Sequence, residues 1–257
     1  VRAARAKELR NGGNSETALL LFADAWRAKN WQMAELAADE LSQSGNLGFM
    51  APMLKSWVNV AQGKSAELPE ADANADSFYA YYSADQRIYL DLASGQFAKA
   101  KLGLRGIVTQ QGDHVRDVMI AGAQTLAGQG GDQPFAEALM RSATGSTDGL
   151  ATRGSRMPPG QGLATLYARI ATALIEQQMP KEGLSLARIG SWIAPSQPNV
   201  RLALAKTLHA NALTGEALAL LEQLPETSLY RLPALESRVD MLIATRNISA
   251  AQAIVLQ

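Results

Sequence analysis

Few residues in this chain have the type and spacing that chemistry requires. It has no cysteine and only two histidines, His114 and His209. The missing thiols exclude thiol catalysis, disulfides and zinc–thiolate sites. His114 falls in an expected turn and His209 on an expected helix, and no His-Glu-x-x-His helix accompanies either. Gly63-Lys64-Ser65 mimics the end of a phosphate loop, but Val58 stands where the first glycine belongs and no strand precedes it. The backbone cradle for phosphate is therefore missing. Gly128-Gln129-Gly130-Gly131 lacks the third glycine and the strand of a dinucleotide fingerprint, and reads as a helix-ending turn. Gly183-Leu184-Ser185-Leu186-Ala187 has the outline of a nucleophile elbow, yet it lies inside a helix that follows Pro180, away from any strand-to-helix turn. No serine has a lysine three residues on. Asp85, Asp91, Glu236 and Asp240 are scattered along helices, whereas paired acid–base work needs facing carboxylates in a dry cleft. The inventory predicts a protein that is not an enzyme, without cofactor or metal.

The aromatic run Phe78-Tyr79-Tyr81-Tyr82-Tyr89 is the densest in the chain. It has two readings. Amphipathic rings favour partner contacts, and they also fill cores. On one helix they cannot all face the same way, so part of the run belongs to the core.

Bulk composition narrows the partners. Hydrophobic residues make up 47% and charged residues 19%, a folded composition. The 24 basic and 24 acidic side chains cancel, and no basic stripe is visible. Binding through phosphate neutralisation needs such a stripe, so nucleic acid is excluded as the expected partner. No apolar run reaches the roughly 18 residues of a membrane span, and no basic-then-apolar leader opens the chain. The chain begins at Val1 and stops at Gln257 in what reads as an unfinished helix, which predicts a fragment of a longer protein.

The elements that must position these residues read as helices throughout. Val1 to Leu9 favours helix, and Asn11 to Asn14 a turn. Ser15 is the expected N-cap of a helix to about Ala28, and a second helix starts at Trp31. Leu47 to Ala61 is a further first-of-pair helix whose partner, Gly63 to Asn74, contains Pro69 and reads as short or irregular. Ser77 to Ser94 pairs with the apolar face of Phe97, Ala100, Leu104 and Ile107. Val115 to Ala127 pairs with Pro134 to Ala143. Thr144 to Gly162, with five glycines and two prolines, reads as a loop. From Leu163 onward Gly183, Ala217 and Ala251 recur 34 residues apart, preceded by Leu174, Leu208 and Leu242. A beat of this length marks a helix–turn–helix repeat array. No segment alternates like a strand. The prediction is an all-α fold, an α-solenoid of antiparallel helix pairs. Its parts are degenerate repeats over 1–143, a loop over 144–162, and regular repeats over 163–257, in one continuous solenoid.

These residues resemble the tetratricopeptide repeat family. Ala171 and Ala205 take its small place in first helices. Gly183, Ala217 and Ala251 take it at the start of second helices, with Gly190 later and Pro195 closing the repeat. Gly95-Gln96-Phe97 with Ala100, and Asn30-Trp31 with Ala34, are similar to its turn. Val239 and Leu224 depart from the pattern, and Ala100 to Ala138 is out of step. The run Gly162 to Leu224 is also similar to uncharacterised alphaproteobacterial proteins of this family, which commonly carry export signals. That likeness implies a periplasmic or envelope setting, with the cytoplasm as the alternative. The family resemblance implies that first helices line a concave groove. It places Tyr82, Asp85, Tyr89, Asn199, Lys206, His209, Glu236 and Asp240 there as partner-binding residues. The implied function is a non-catalytic scaffold that binds a peptide or partner protein. The alternative is a positioning arm of a larger enzyme or envelope assembly whose catalytic part lies outside the sequence.

Overall fold

A computed structural model describes residues 15–45, 47–71, 77–128, 132–150 and 156–256. The helix expected over Val1 to Leu9, the turn at Asn11 to Asn14, and Gln129 to Gly131 lie outside the described residues. Among the described residues the fold is all-helical, with thirteen α-helices and no strand. They are α1 (Ser15–Arg27), α2 (Trp31–Ser42), α3 (Ala51–Ala61), α4 (Ser77–Ser94), α5 (Phe97–Ile107), α6 (Asp113–Gly128) and α7 (Gln133–Thr144). Then come α8 (Pro159–Glu176), α9 (Pro180–Ile193), α10 (Pro198–Ala210), α11 (Thr214–Glu222), α12 (Arg231–Ala244) and α13 (Ile248–Val255). A 3₁₀ turn, Gly48–Met50, leads into α3. The chain forms two compact units, Val1–Leu163 and Ala164–Gln257.

One hairpin geometry recurs in both units. Met179 N–H donates to the Leu174 carbonyl at 2.8 Å, Leu213 to Leu208 at 3.0 Å, and Asn247 to Leu242 at 2.8 Å. The same six-to-one bond runs from Asn30 to Ala25, Lys64 to Asn59 and Gln96 to Asp91. It is the Schellman closure that satisfies the last carbonyls of a helix. The residue before each donor is left-handed: Gln178 and Ala212 at φ 62°, Arg246 at 61°, Lys29 at 53°, Gly63 at 75° and Gly95 at 82°. Four residues after most donors comes the small residue of the second helix. Gly183, Ala217 and Ala251 bond back to Met179, Leu213 and Asn247 at 3.1 Å, and Ala34 and Ala100 to Asn30 and Gln96 at 3.0 Å. All five are buried. The reason for small size is explicit at Gly183, where a Cβ would stand 2.7 Å from the Ala171 carbonyl oxygen.

In the first unit α1 to α5 pack in sequence, and α6 rests on α4, α5 and α7. Trp57, Phe22, Leu54, Leu90, Leu104 and Leu126 fill its core, and the Trp57 indole donates to Gln86 Oε1 at 2.7 Å. Several expectations shift here. Ser15, the first described residue, is helical, and its hydroxyl reaches Ser44 Oγ at 3.1 Å. His114 is helical rather than in a turn, because α6 starts at Asp113. The small residue of α7 is Ala136, buried and bonded to Asp132 at 3.0 Å, whereas Ala138 is exposed. The loop is shorter than Thr144 to Gly162. Pro159 opens α8, and Gly162 lies in its first turn because the Trp57 ring fills the space a Cβ would take, at 2.2 Å.

In the second unit Ala164 and Ala168 of α8 pack on Val200 and Ala203 of α10, with Ile193 and Ala194 alongside. Helix α10 rests in turn on α9, α11 and α12, and α12 on α11 and α13. First helices of successive pairs are thus neighbours.

Candidate functional site

Helix α4 carries the densest surface chemistry. Its 18 residues contain neither glycine nor proline, and Gly95 at positive φ ends it. Phe78 and Tyr81 lie three residues apart, on one face of the helix, and are 47% and 56% exposed. Behind them the Phe49 ring, on the 3₁₀ turn, stacks on Phe78 at 5.7 Å and on Tyr82 at 5.5 Å, within 17° of parallel to Tyr82. Tyr81 meets Tyr82 edge-on at 5.1 Å and comes within 6.4 Å of the His114 ring of α6. Each such pair contributes roughly 0.5–1.5 kcal/mol beyond area burial. Buried Tyr82 and half-buried Phe49 and His114 back the exposed rings, so the surface offers two oriented ring faces to a proline, aliphatic or aromatic side chain. The aromatic run therefore divides: Tyr79, Tyr82 and Tyr89 are core, and Phe78 and Tyr81 face solvent. Phe49 was missing from the sequence reading, which took His114 only as a lone histidine in a turn. The signal for Phe49 was spacing, since it precedes Tyr82 by close to one repeat.

The residues assigned to a groove have mixed placements. Tyr82, Asp85, Tyr89 and Asn199 are buried. Asn199 Nδ2 donates to Thr165 Oγ1 at 3.2 Å, 34 residues away, and Gln197 Nε2 donates to the same oxygen at 3.0 Å. Asn199 thus ties α10 to α8 at equivalent repeat positions. His209 Nδ1 and Thr214 Oγ1 are 2.9 Å apart, which pins the α10–α11 turn. Lys206 is half-buried on α10, and Glu236 and Asp240 are exposed on the neighbouring α12. The first three residues belong to one unit and the other five to the other.

A second cluster lies where the partner helix of α3 is short of a helix. Residues 64–71 run without helical structure. Tyr79 Oη donates to the Pro69 carbonyl at 2.6 Å. The Arg87 guanidinium donates to the Leu68 and Pro69 carbonyls at 3.2 and 3.1 Å. Ser56 Oγ shares its hydrogen between the Glu67 and Pro52 carbonyls, each 3.0 Å away. Burial pushes the Tyr79 phenol up, and the Arg87 charge partly offsets that. Burial likewise raises the Asp91 carboxyl, against Lys99 and Arg87. Among the described residues no three His, Asp or Glu side chains gather at metal-ligand spacing, and no helix is long and apolar enough to cross a membrane. No known protein family, curated protein or solved structure matches the chain.

Proposed function

We propose that the chain is a non-catalytic binding scaffold, a tetratricopeptide-like α-solenoid whose α4 surface engages a peptide or partner protein. The observation that carries the reading is the recurrence of one hairpin turn, with Gln178, Ala212 and Arg246 left-handed at 34-residue intervals. Repeat arrays of this kind expose long surfaces and bury no central cleft, which suits binding rather than turnover. The exposed Phe78 and Tyr81 supply the contact area that interface hot spots favour. In the second unit, taken by itself, Lys206, His209, Glu236 and Asp240 are not buried and are open to polar contacts of their own.

The test is selection of displayed peptides on the immobilised protein, followed by titration of the selected sequences. Phe78→Ala with Tyr81→Ala is expected to weaken binding at least about tenfold, in the range of a hot-spot loss. Helical circular dichroism should be unchanged, because both rings are exposed. Undiminished affinity in the double variant removes the α4 surface from the proposal. Failure to select any binder overturns the scaffold reading itself.

A further inference from the structure

We propose that the groove between α3 and α4 is a receptor for an extended peptide bearing a leucine–proline pair, and that residues 64–71 occupy it as an intramolecular competitor. Helix α3 ends with the same closure as the other first helices, Gly63 at φ 75° and Lys64 bonded to Asn59 at 2.9 Å. No second helix follows. Pro69 has no N–H to donate and its ring opposes helix continuation, so residues 64–71 run past α3 and α4 without helical structure.

The groove reads that segment through its main chain. Three successive carbonyls, those of Glu67, Leu68 and Pro69, are taken by Ser56 from α3 and by Arg87 and Tyr79 from α4. Donors aimed at carbonyls recognise extended backbone whatever its side chains, and a pocket for alternate side chains supplies selectivity. Leu68 is the one buried side chain of 64–71, and is the side chain through which such selection would act. Glu67, Pro69, Glu70 and Ala71 are exposed. Opening the segment therefore uncovers one leucine and breaks four side-chain hydrogen bonds, which places it at the low-stability end of the unit. It also takes their acceptors from Tyr79 and Arg87, while Ser56 keeps the Pro52 carbonyl, a cost that a second extended peptide removes. The site is separate from the exposed rings of α4 and goes beyond the scaffold reading.

The chain has no cysteine, so Leu68→Cys gives a single reporter thiol whose modification rate measures opening. The probe is the acetylated octapeptide Lys-Ser-Ala-Glu-Leu-Pro-Glu-Ala, with a Leu-to-Asp version as control. Millimolar probe is needed, because the tethered segment competes at a comparable effective concentration. The expected result is thiol modification accelerated at least about tenfold by the probe and not by the control. Tyr79→Phe in the same background should raise the modification rate without probe several-fold, because it removes one of the bonds that hold the segment closed. Modification indifferent to the probe, or equally accelerated by the control, overturns the proposal. Phe78→Ala with Tyr81→Ala should leave the acceleration intact, so failure at the ring surface and failure at the groove are read apart.

Discussion

At the scale of single residues, the clearest unpaid electrostatic term is Tyr167. Its side chain on α8 is fully buried, and its hydroxyl has no hydrogen-bond partner among the described residues. A buried hydroxyl without a partner costs about 1–3 kcal/mol. Tyr167→Phe should therefore raise the unfolding free energy by about 1 kcal/mol, read by urea denaturation. Titration provides a second signature. Burial pushes the Tyr167 phenol well above the ordinary tyrosine range, while the unfolded chain ionises near pH ~10. Above that pH the unfolded state holds fewer protons than the folded one, so stability falls as pH rises. The slope is about 1.4 kcal/mol per pH unit for each such tyrosine. Tyr79 shifts in the same direction, with burial as the larger cause. Tyr167→Phe should flatten the alkaline slope by one proton, and identical slopes in the two proteins would contradict the assignment.

At the scale of elements, the recurrent turn carries strain that sequence does not advertise. Gln178, Ala212, Arg246 and Lys29 are left-handed without being glycine, at roughly 1–2 kcal/mol each. Ala212 is the cleanest case because its side chain is one methyl group. Ala212→Gly should stabilise the fold by about 0.5–1 kcal/mol, after allowing for the added freedom of the unfolded chain. A lower urea midpoint would show that the methyl group does something other than strain the turn. This turn also marks the limit of what was legible. Gly183, Ala217 and Ala251 were readable because a close helix crossing demands small residues at a fixed interval. The turn residues before them were not, since nothing in Gln, Ala or Arg signals positive φ. Ala136 was missed for Ala138 because two positions of register on α7 look alike without the partner helix. Gly162 looked like loop because a glycine seated under Trp57 and a flexible glycine are the same letter.

The groove assignment shows the same limit at the surface. Helical periodicity identifies which residues share a face, but not which face the next helix covers. Tyr82, Tyr89 and Asn199 turned out to lie against neighbours, whereas Phe78 and Tyr81, from the same aromatic run, stayed outside.

At the scale of the whole molecule, each unit taken by itself is a succession of hairpins that touch mainly their sequence neighbours. In such a succession stability is a sum of intrinsic hairpin terms and interface terms. The second unit displays the consequence. Equivalent positions of its second helices are Ala187, Leu221 and Val255, at 0%, 3% and 70% exposure. The first two are sealed within the unit, and the third faces outward beside Ile248 and Leu256, also exposed. Among the described residues the α12–α13 hairpin thus packs on one flank and the α10–α11 hairpin on two. Leaving a valine-sized side chain in water forgoes roughly 1.5 kcal/mol, and the neighbouring exposed side chains add to the difference. Native-state hydrogen exchange of the 257-residue chain should find α13 amides opening with a free energy at least about 2 kcal/mol below that of α10. Ala217→Leu would press on the sealed crossing of the interior hairpin. It should lower protection in α10 and α11 together, because a small residue at that crossing sets the spacing of both helices. Uniform protection from α10 to α13 would mean that the unit opens as one body, and that its hairpins are not additive modules.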